Sequence, residues 1–253
     1  MIKKSNFVLK RISTIIEESF PNYQEELKCI PTFFYSLDKE LNGGLNTSDI
    51  TILATKDIKE KIAFYLNLTS NIAIKQNLPV IIFSLETSSK DLYKKLLLIN
   101  KDDKNSTYNS NQKIYNAPIY INENTSLSIK DIKRNIDLVK KIHNNIGLII
   151  IDPIYFMDIK IVSNFYRNIK SIAREENIPI LITTKLNSQD CLLVSNLANS
   201  KDLRIIYDAS DVMMFLYESN ENEKNKFEIS FRDSQKIINL ILNQNNGIFS
   251  DFD

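Results

Sequence analysis

Apolar positions along this chain fall into two rhythms. Short, nearly continuous runs rich in Ile and Val, "ITILAT" (50–55), "PVIIFSL" (79–85), "APIYIN" (117–122), "GLIIIDPIYF" (147–156), "IPILITT" (178–184) and "DVMMFLY" (211–217), are separated by stretches with helical spacing. Runs that are apolar on both faces suit strands covered on both sides, so the alternation predicts an α/β fold, a mostly parallel sheet flanked by helices. The rhythm changes near the end. "KFEISFRD" (226–233) and "KIINLILN" (236–243) alternate apolar and polar residues around a short polar connection, which predicts a C-terminal antiparallel hairpin closing the sheet. At the other end, Val8, Ile12, Ile15 and Ile16 share one helical face of Asn6 to Phe20, and Pro21 supplies the stop. The pattern thus divides the chain into an N-terminal helix segment, 1–28, and one domain, 29–253. "NKDDKNSTYNSNQK" (100–113) reads as a solvated surface loop.

Composition narrows the class only slightly. A chain of 253 residues, 43% hydrophobic and 25% charged, can bury a sizeable core. Thirty-two basic residues against thirty-one acidic ones give a net charge of +1, so no global field draws the chain to nucleic acid and any DNA contact must be local. Cys29 and Cys191 have no metal-type spacing and read as reduced thiols used in packing. The start "MIKKSNFVLKRIS" lacks the apolar core of a signal peptide, and no apolar run reaches about eighteen residues. The expectation is a cytoplasmic protein without a membrane partner.

The candidate chemistry begins with "ITILATKDIKEKI". A strand, a short polar turn holding a lysine and then a helix are the ingredients of a phosphate-binding P-loop, G-x-x-x-x-G-K-[ST], whose last glycine lets backbone N–H groups approach the phosphates. In that frame Glu60 stands at the glycine, Lys61 at the lysine and Ile62 at the metal-binding hydroxyl. Glu60 sets a carboxylate against a polyphosphate and Ile62 cannot hold a metal; Lys61 alone also fits a solvated lysine at a helix start. Asp152, ending "GLIIIDP", has the form of a Walker B aspartate that holds Mg²⁺, and equally of an aspartate ending a buried strand. Glu86, just past "IIFSL", fits a carboxylate orienting water or a first-turn charge. His143, the only histidine, falls in "NIDLVKKIHNN" with no carboxylate partner evident and receives no role.

Taken in order, "IPTFFYSLDKELNGGL", "VIIFSLETSSKDLYKKLL", "APIYINENTSLSIKDIKR", "GLIIIDPIYFM", "IPILITTKLN" and "DLRIIYDASDVMMFLY" resemble the C-terminal RecA-like domain of DnaB-type replicative DNA helicases, from about Phe7 to Phe252. The resemblance implies a RecA-like P-loop NTPase fold, ATP and Mg as cofactors, Lys61 as the Walker A lysine, Glu86 as the catalytic glutamate and Asp152 as the Walker B, metal-holding aspartate. It implies that the helix at Asn6 to Phe20 is a linker helix that docks on a neighbouring RecA-like subunit. The family's N-terminal, primase-meeting domain is expected to be absent.

Departures from the family pattern gather at functional positions. Besides Glu60 and Ile62, Lys185 stands where the family carries a nucleotide-sensing glutamine, Phe33 stands for a glycine, and Ile205 and Ile206 replace a polar-glycine pair. The final hairpin offers only Arg232 for the basic residue that reaches a neighbour's nucleotide. "SQDCLLVSNLANSK", in place of a DNA-gripping loop, holds one basic residue, Lys201. A preserved scaffold with a lost site points to an ATPase-impaired pseudo-helicase acting through protein contacts, on its own copies or a DnaB-type helicase, with weak or absent DNA binding. The alternative is a divergent but active ATP-dependent helicase or translocase. A third reading is a decaying product of a mobile element.

Overall fold

The computed structural model describes residues 29–101, 107–153, 159–185, 208–219, 225–231 and 234–252. The predicted N-terminal helix with Val8, Ile12, Ile15 and Ile16, and also Cys191, Lys201, Ile205, Ile206 and Arg232, lie outside these residues. In chain order the elements are β1 (Cys29–Ile30), α1 (Tyr35–Glu40), β2 (Leu45–Asn46), β3 (Ile50–Thr55), α2 (Ile58–Thr69), continued by a π-helical turn at Ser70–Lys75, β4 (Val80–Ser84), α3 (Ser89–Ile99) and α4 (Thr107–Asn116). There follow β5 (Ile119–Asn122), α5 (Ile129–Lys140), β6 (Leu148–Asp152), α6 (Ile159–Glu176), β7 (Ile180–Lys185), β8 (Val212–Glu218), β9 (Lys226–Phe231), β10 (Ser234–Asn243) and β11 (Ile248–Asp251).

The main sheet has the order β11-β10-β9-β8-β3-β7-β6-β4-β5. From β5 to β8 every pairing is parallel, and β8 to β11 pair antiparallel. The parallel strands are the ones whose runs are apolar on both faces, and β3, β4 and β6 are buried at every position. Alternation then sorts their side chains. Leu53, Ile82 and Ile150 face a layer formed by α2, α3 and the final strands. Ile52, Ile81 and Ile149 face α5 and α6 through Ile132, Ile136, Ile169 and Ile172.

Local chemistry explains where the helices start. Ser128 and Asp131 make a reciprocal capping box ahead of α5, whose Ile132, Ile136 and Val139 form the buried stripe. Ser88 caps α3 by accepting the Asp91 N–H, and Leu92, Leu96 and Ile99 follow at helical spacing.

The entry to the domain is a clamped turn. Asp38 accepts hydrogen bonds from the N–H groups of Thr32 (2.8 Å) and Phe33 (3.0 Å) and from the Thr32 hydroxyl (2.7 Å). These bonds hold Phe33 at φ 66, a left-handed conformation that suits the glycine expected there by resemblance and strains an aromatic residue. Gly44 has φ +132, and a Cβ on it would lie 2.2 Å from the Ile30 carbonyl oxygen, so only glycine fits against β1.

One expectation is corrected and two are carried further. The stretch read as a solvated loop is helical from Thr107, because Ser110 turns inward to donate to the Asn100 carbonyl (2.9 Å) and Ile114 is buried, so the segment packs against α3. The closing hairpin β9–β10 is extended by a further strand, β11, whose Asp251 carboxylate caps the N–H groups of Tyr35 and Ser36 on α1. His143 sits beyond the end of α5 with its Nε2 2.6 Å from the Tyr120 hydroxyl, in a ring-edge packing that holds the imidazole without any carboxylate. Cys29 is a free thiol in β1, and no helix among the described residues is long and apolar enough to cross a membrane.

Candidate functional site

The carboxyl ends of parallel strands are where an open α/β sheet can present a site, and the sequence candidates converge there. β3 lies beside β7, with Thr55 opposite Lys185, and β6 lies beside β4, with Asp152 opposite Ser84. The Leu85 N–H donates to the Asp152 carbonyl (2.7 Å), which brings Glu86, the next residue, to the same edge. Glu86 and Lys185 are exposed there.

Lys61 and Asp152 meet directly, and they do so inside the protein. Lys61 Nζ is 2.7 Å from Asp152 Oδ1, and each side chain is 1% exposed. The Thr183 hydroxyl donates to the same oxygen, and the Tyr65 hydroxyl donates to Oδ2 at 3.1 Å. Both carboxylate oxygens are therefore engaged. Burial, followed by the negative charge of Asp152, holds the Tyr65 phenol well above its ordinary pKa, so it remains a donor. Tyr65 and Thr183 were not singled out in the sequence. Tyr65 lies one helical turn beyond Lys61, a spacing that marks it as a neighbour, whereas Thr183 reaches Asp152 only across the sheet.

Upstream of Lys61 the phosphate cradle is replaced by helix. Only Lys56 and Asp57 separate β3 from α2, and α2 begins at Ile58, so the positions that would bend around a phosphate form its first turn. Asp57 is its N-cap and accepts the Lys59 N–H at 2.7 Å, while the Lys61 N–H bonds to the Asp57 carbonyl at 3.3 Å. An internal carboxylate thus occupies the electropositive helix end where a bound phosphate would sit. Glu60 points one oxygen into a solvent-shielded place without a hydrogen-bond partner. Burial first, and then the neighbouring Asp57, push the Glu60 carboxyl up to about 7. Ile62, at the hydroxyl position, is 4% exposed in the core. The groups that the resemblance assigns to Mg·ATP are engaged within the protein: the Lys61 ammonium is paired, both Asp152 oxygens are occupied, and the Lys59 and Lys61 amides bond to Asp57.

Two outcomes follow from this geometry. Lys61→Met should destabilise the fold by about 3–5 kcal/mol, because Asp152 is left charged and buried, and adding Asp152→Asn should recover a large part of that loss. Urea unfolding of both variants measures it; a purely catalytic lysine would leave the midpoint unchanged. The Glu60 carboxyl binds its proton more tightly folded than unfolded, so its stabilising contribution is complete below pH 4.5 and is lost as pH rises through about 7. Glu60→Gln should therefore be more stable than the parent at pH 8, by about 1 kcal/mol after solvent screening, with the difference closing below pH 4.5 in pH-dependent thermal melts.

Comparison with known proteins places this geometry. Residues 29–252 match the DnaB-like helicase C terminal domain family. The chain is 28% identical to a probable replicative DNA helicase of Trieres chinensis, with 92% of this chain and 56% of that protein covered. It is 26% identical to the replicative DNA helicase DnaB of Geobacillus stearothermophilus, with 97% of this chain and 60% of that protein covered. It therefore spans little more than half the length of these relatives. Among solved structures, an isolated ATPase domain aligns with a TM-score of 0.75 at 20% identity, over 96% of this chain and 97% of that one. A DnaB-like replicative helicase, described with its interactions with primase, aligns at 0.74 and 19%, over 96% of this chain and 66% of that one. At such identities the structures speak for the RecA-like fold, and the match over residues 29–252 speaks for the lineage: the chain belongs to the family of DnaB-like helicase C-terminal domains.

Proposed function

We propose that this chain is an ATPase-impaired DnaB-type motor domain that acts in DNA replication through protein contacts. The observation that carries the reading is the buried Lys61–Asp152 ion pair, with both partners 1% exposed, behind a helix that begins at Ile58. A working P-loop keeps its lysine facing the nucleotide, and separating this pair to admit Mg·ATP would strip two buried charges of their partners. On this reading Lys61 and Asp152 are structural, Glu86 has no water to orient, and Lys185 and Arg232 have no nucleotide to sense. The partners are RecA-like subunits, either copies of this chain or a DnaB-type helicase. DNA binding is weak, given a net charge of +1.

One observation favours the alternative of a divergent, active ATP-dependent helicase. Lys61, Asp152, Glu86 and Lys185 still share one sheet edge, as catalysis would require. Calorimetry with Mg·ATP separates the two. The expected outcome is no measurable binding, and micromolar affinity would favour the active enzyme. In Glu60→Gly with Ile62→Thr, glycine lets the first turn of α2 leave the helix and threonine restores a hydroxyl, so some binding is expected to return. No gain would assign the loss to the Lys61–Asp152 closure as well.

The protein-contact half of the proposal rests on the apolar stripe Val8, Ile12, Ile15 and Ile16, which docks on an adjacent RecA-like domain. Replacing Ile12 and Ile16 with Asp is expected to abolish self-association, or capture of a DnaB-type helicase, in size-exclusion and pull-down experiments, with the thermal midpoint unchanged. Intact assembly with lowered stability would assign the stripe to the chain's own core.

A further inference from the structure

At the end of α2 remote from Lys61, a cavity of about 440 Å³ opens between the π-helical turn, the ends of α3 and β11, and the entry turn. Phe33, Asn71, Lys75, Lys101 and Ile248 line it, and so does Asp251, whose carboxylate is taken up by the Tyr35 and Ser36 N–H groups. The polar floor is satisfied from within: Asn71 Nδ2 donates to the Thr32 carbonyl at 2.8 Å and Ser70 Oγ to Asn100 at 2.7 Å. The rim is different. Lys75 Nζ stands 5.2 Å from the centre of the Phe33 ring, and among the described residues neither Lys75 nor Lys101 has a carboxylate partner. Partial burial lowers the Lys75 pKa, the mark of a cation short of a counter-charge. Each lysine stands at the carboxyl end of its helix and complements the dipole there. That role accounts for neither the Phe33 ring, 49% exposed on a strained φ of 66, nor the cavity it overhangs.

The chain itself supplies a complementary segment. Residues 17–26, "EESFPNYQEE", carry the carboxylates Glu17, Glu18, Glu25 and Glu26 and the aromatics Phe20 and Tyr23, with no basic residue among them. Three residues past Glu26 the chain enters the fold at Cys29, and the following residues run along the helix that bears Lys75. Gln76 Nε2 donates to the Pro31 carbonyl at 2.9 Å, beside the Asn71 bond to Thr32. Past the helix predicted to end at Phe20, the six residues 21–26 reach roughly 20 Å when extended, enough to return across that rim.

We infer that this cavity is the docking site of the chain's own acidic-aromatic segment 17–26, its carboxylates meeting Lys75 and Lys101 and an aromatic ring packing beside Phe33. Such an anchor fixes the direction in which the preceding apolar stripe leaves the domain. It is independent of nucleotide binding, so it stands or falls apart from the ATPase reading.

Hydrogen–deuterium exchange on the full chain tests it, with a synthetic peptide of residues 14–28 as the unprotected reference. Amides of 21–26, past the predicted helix, are expected to exchange about tenfold more slowly in the chain than in the peptide, and Lys75→Glu with Lys101→Glu should abolish that protection while unfolding stays cooperative. Adding Glu25→Lys and Glu26→Lys to that variant should restore it. Exchange at the peptide rate in the parent chain, protection unaffected by the lysine reversals, or protection that grows with protein concentration and so places the segment on a second copy, would each overturn the inference.

Discussion

A lysine and an aspartate that are each 1% exposed constrain their surroundings tightly. Two charges taken out of water at that depth are tolerable only in close contact and with their remaining valences filled. The Thr183 and Tyr65 hydroxyls fill those of Asp152, which ties β6, β7 and α2 together at one point. The strand order β3-β7-β6 is what allows this. α2 leaves β3 and reaches Asp152 at the end of β6 through Lys61 and Tyr65, so the pair acts as a bolt across the sheet.

On the proposed reading, the first turn of α2 shows how few changes close a phosphate site. A glycine at position 60 would cost a helix about 1 kcal/mol relative to good helix formers, whereas glutamate is among those formers, so the helix can nucleate one turn earlier. Once it does, Asp57 caps it, the amides that would face phosphate bond internally, and Lys61 is carried inward towards Asp152. The raised affinity of Glu60 for its proton is the residual cost of setting a carboxyl where the family pattern has no side chain. On the proposed reading, a cleft that would receive negative charge carries its own.

The opposite end is organised by carboxylates used as caps. Asp38 gathers the entry turn, and Asp251 on the last strand closes the start of α1, so the first and last described segments are held side by side. The strain at Phe33 persists because these bonds over-determine the turn. That rigidity leaves a fixed, partly cationic recess next to the point where the N-terminal segment enters the fold.

Much of the architecture is written in the periodicity. Strands apolar on both faces announce a covered parallel sheet and the switch to alternation announces the antiparallel end; the grouping of Lys61, Asp152, Glu86 and Lys185 was implied only by family resemblance. Local sequence does not specify long-range partners. β11 is too short and too mixed to stand out, and α4 looks like a solvated loop because only Ser110 and Ile114 turn inward, towards a neighbour the window does not contain. The same limit governs the site. Sequence alone leaves Lys61 as a nucleotide ligand or a surface lysine; its burial against Asp152 is set by strand register and helix docking. Residues 31 and 91 positions away, Thr183 and Lys61, converge on Asp152 only when β7 lies beside β6 and α2 crosses above them. The chemical character of each residue was fixed by the chain; whether its charge faces water or another charge was decided by the fold, since solvation is a property of the packed whole.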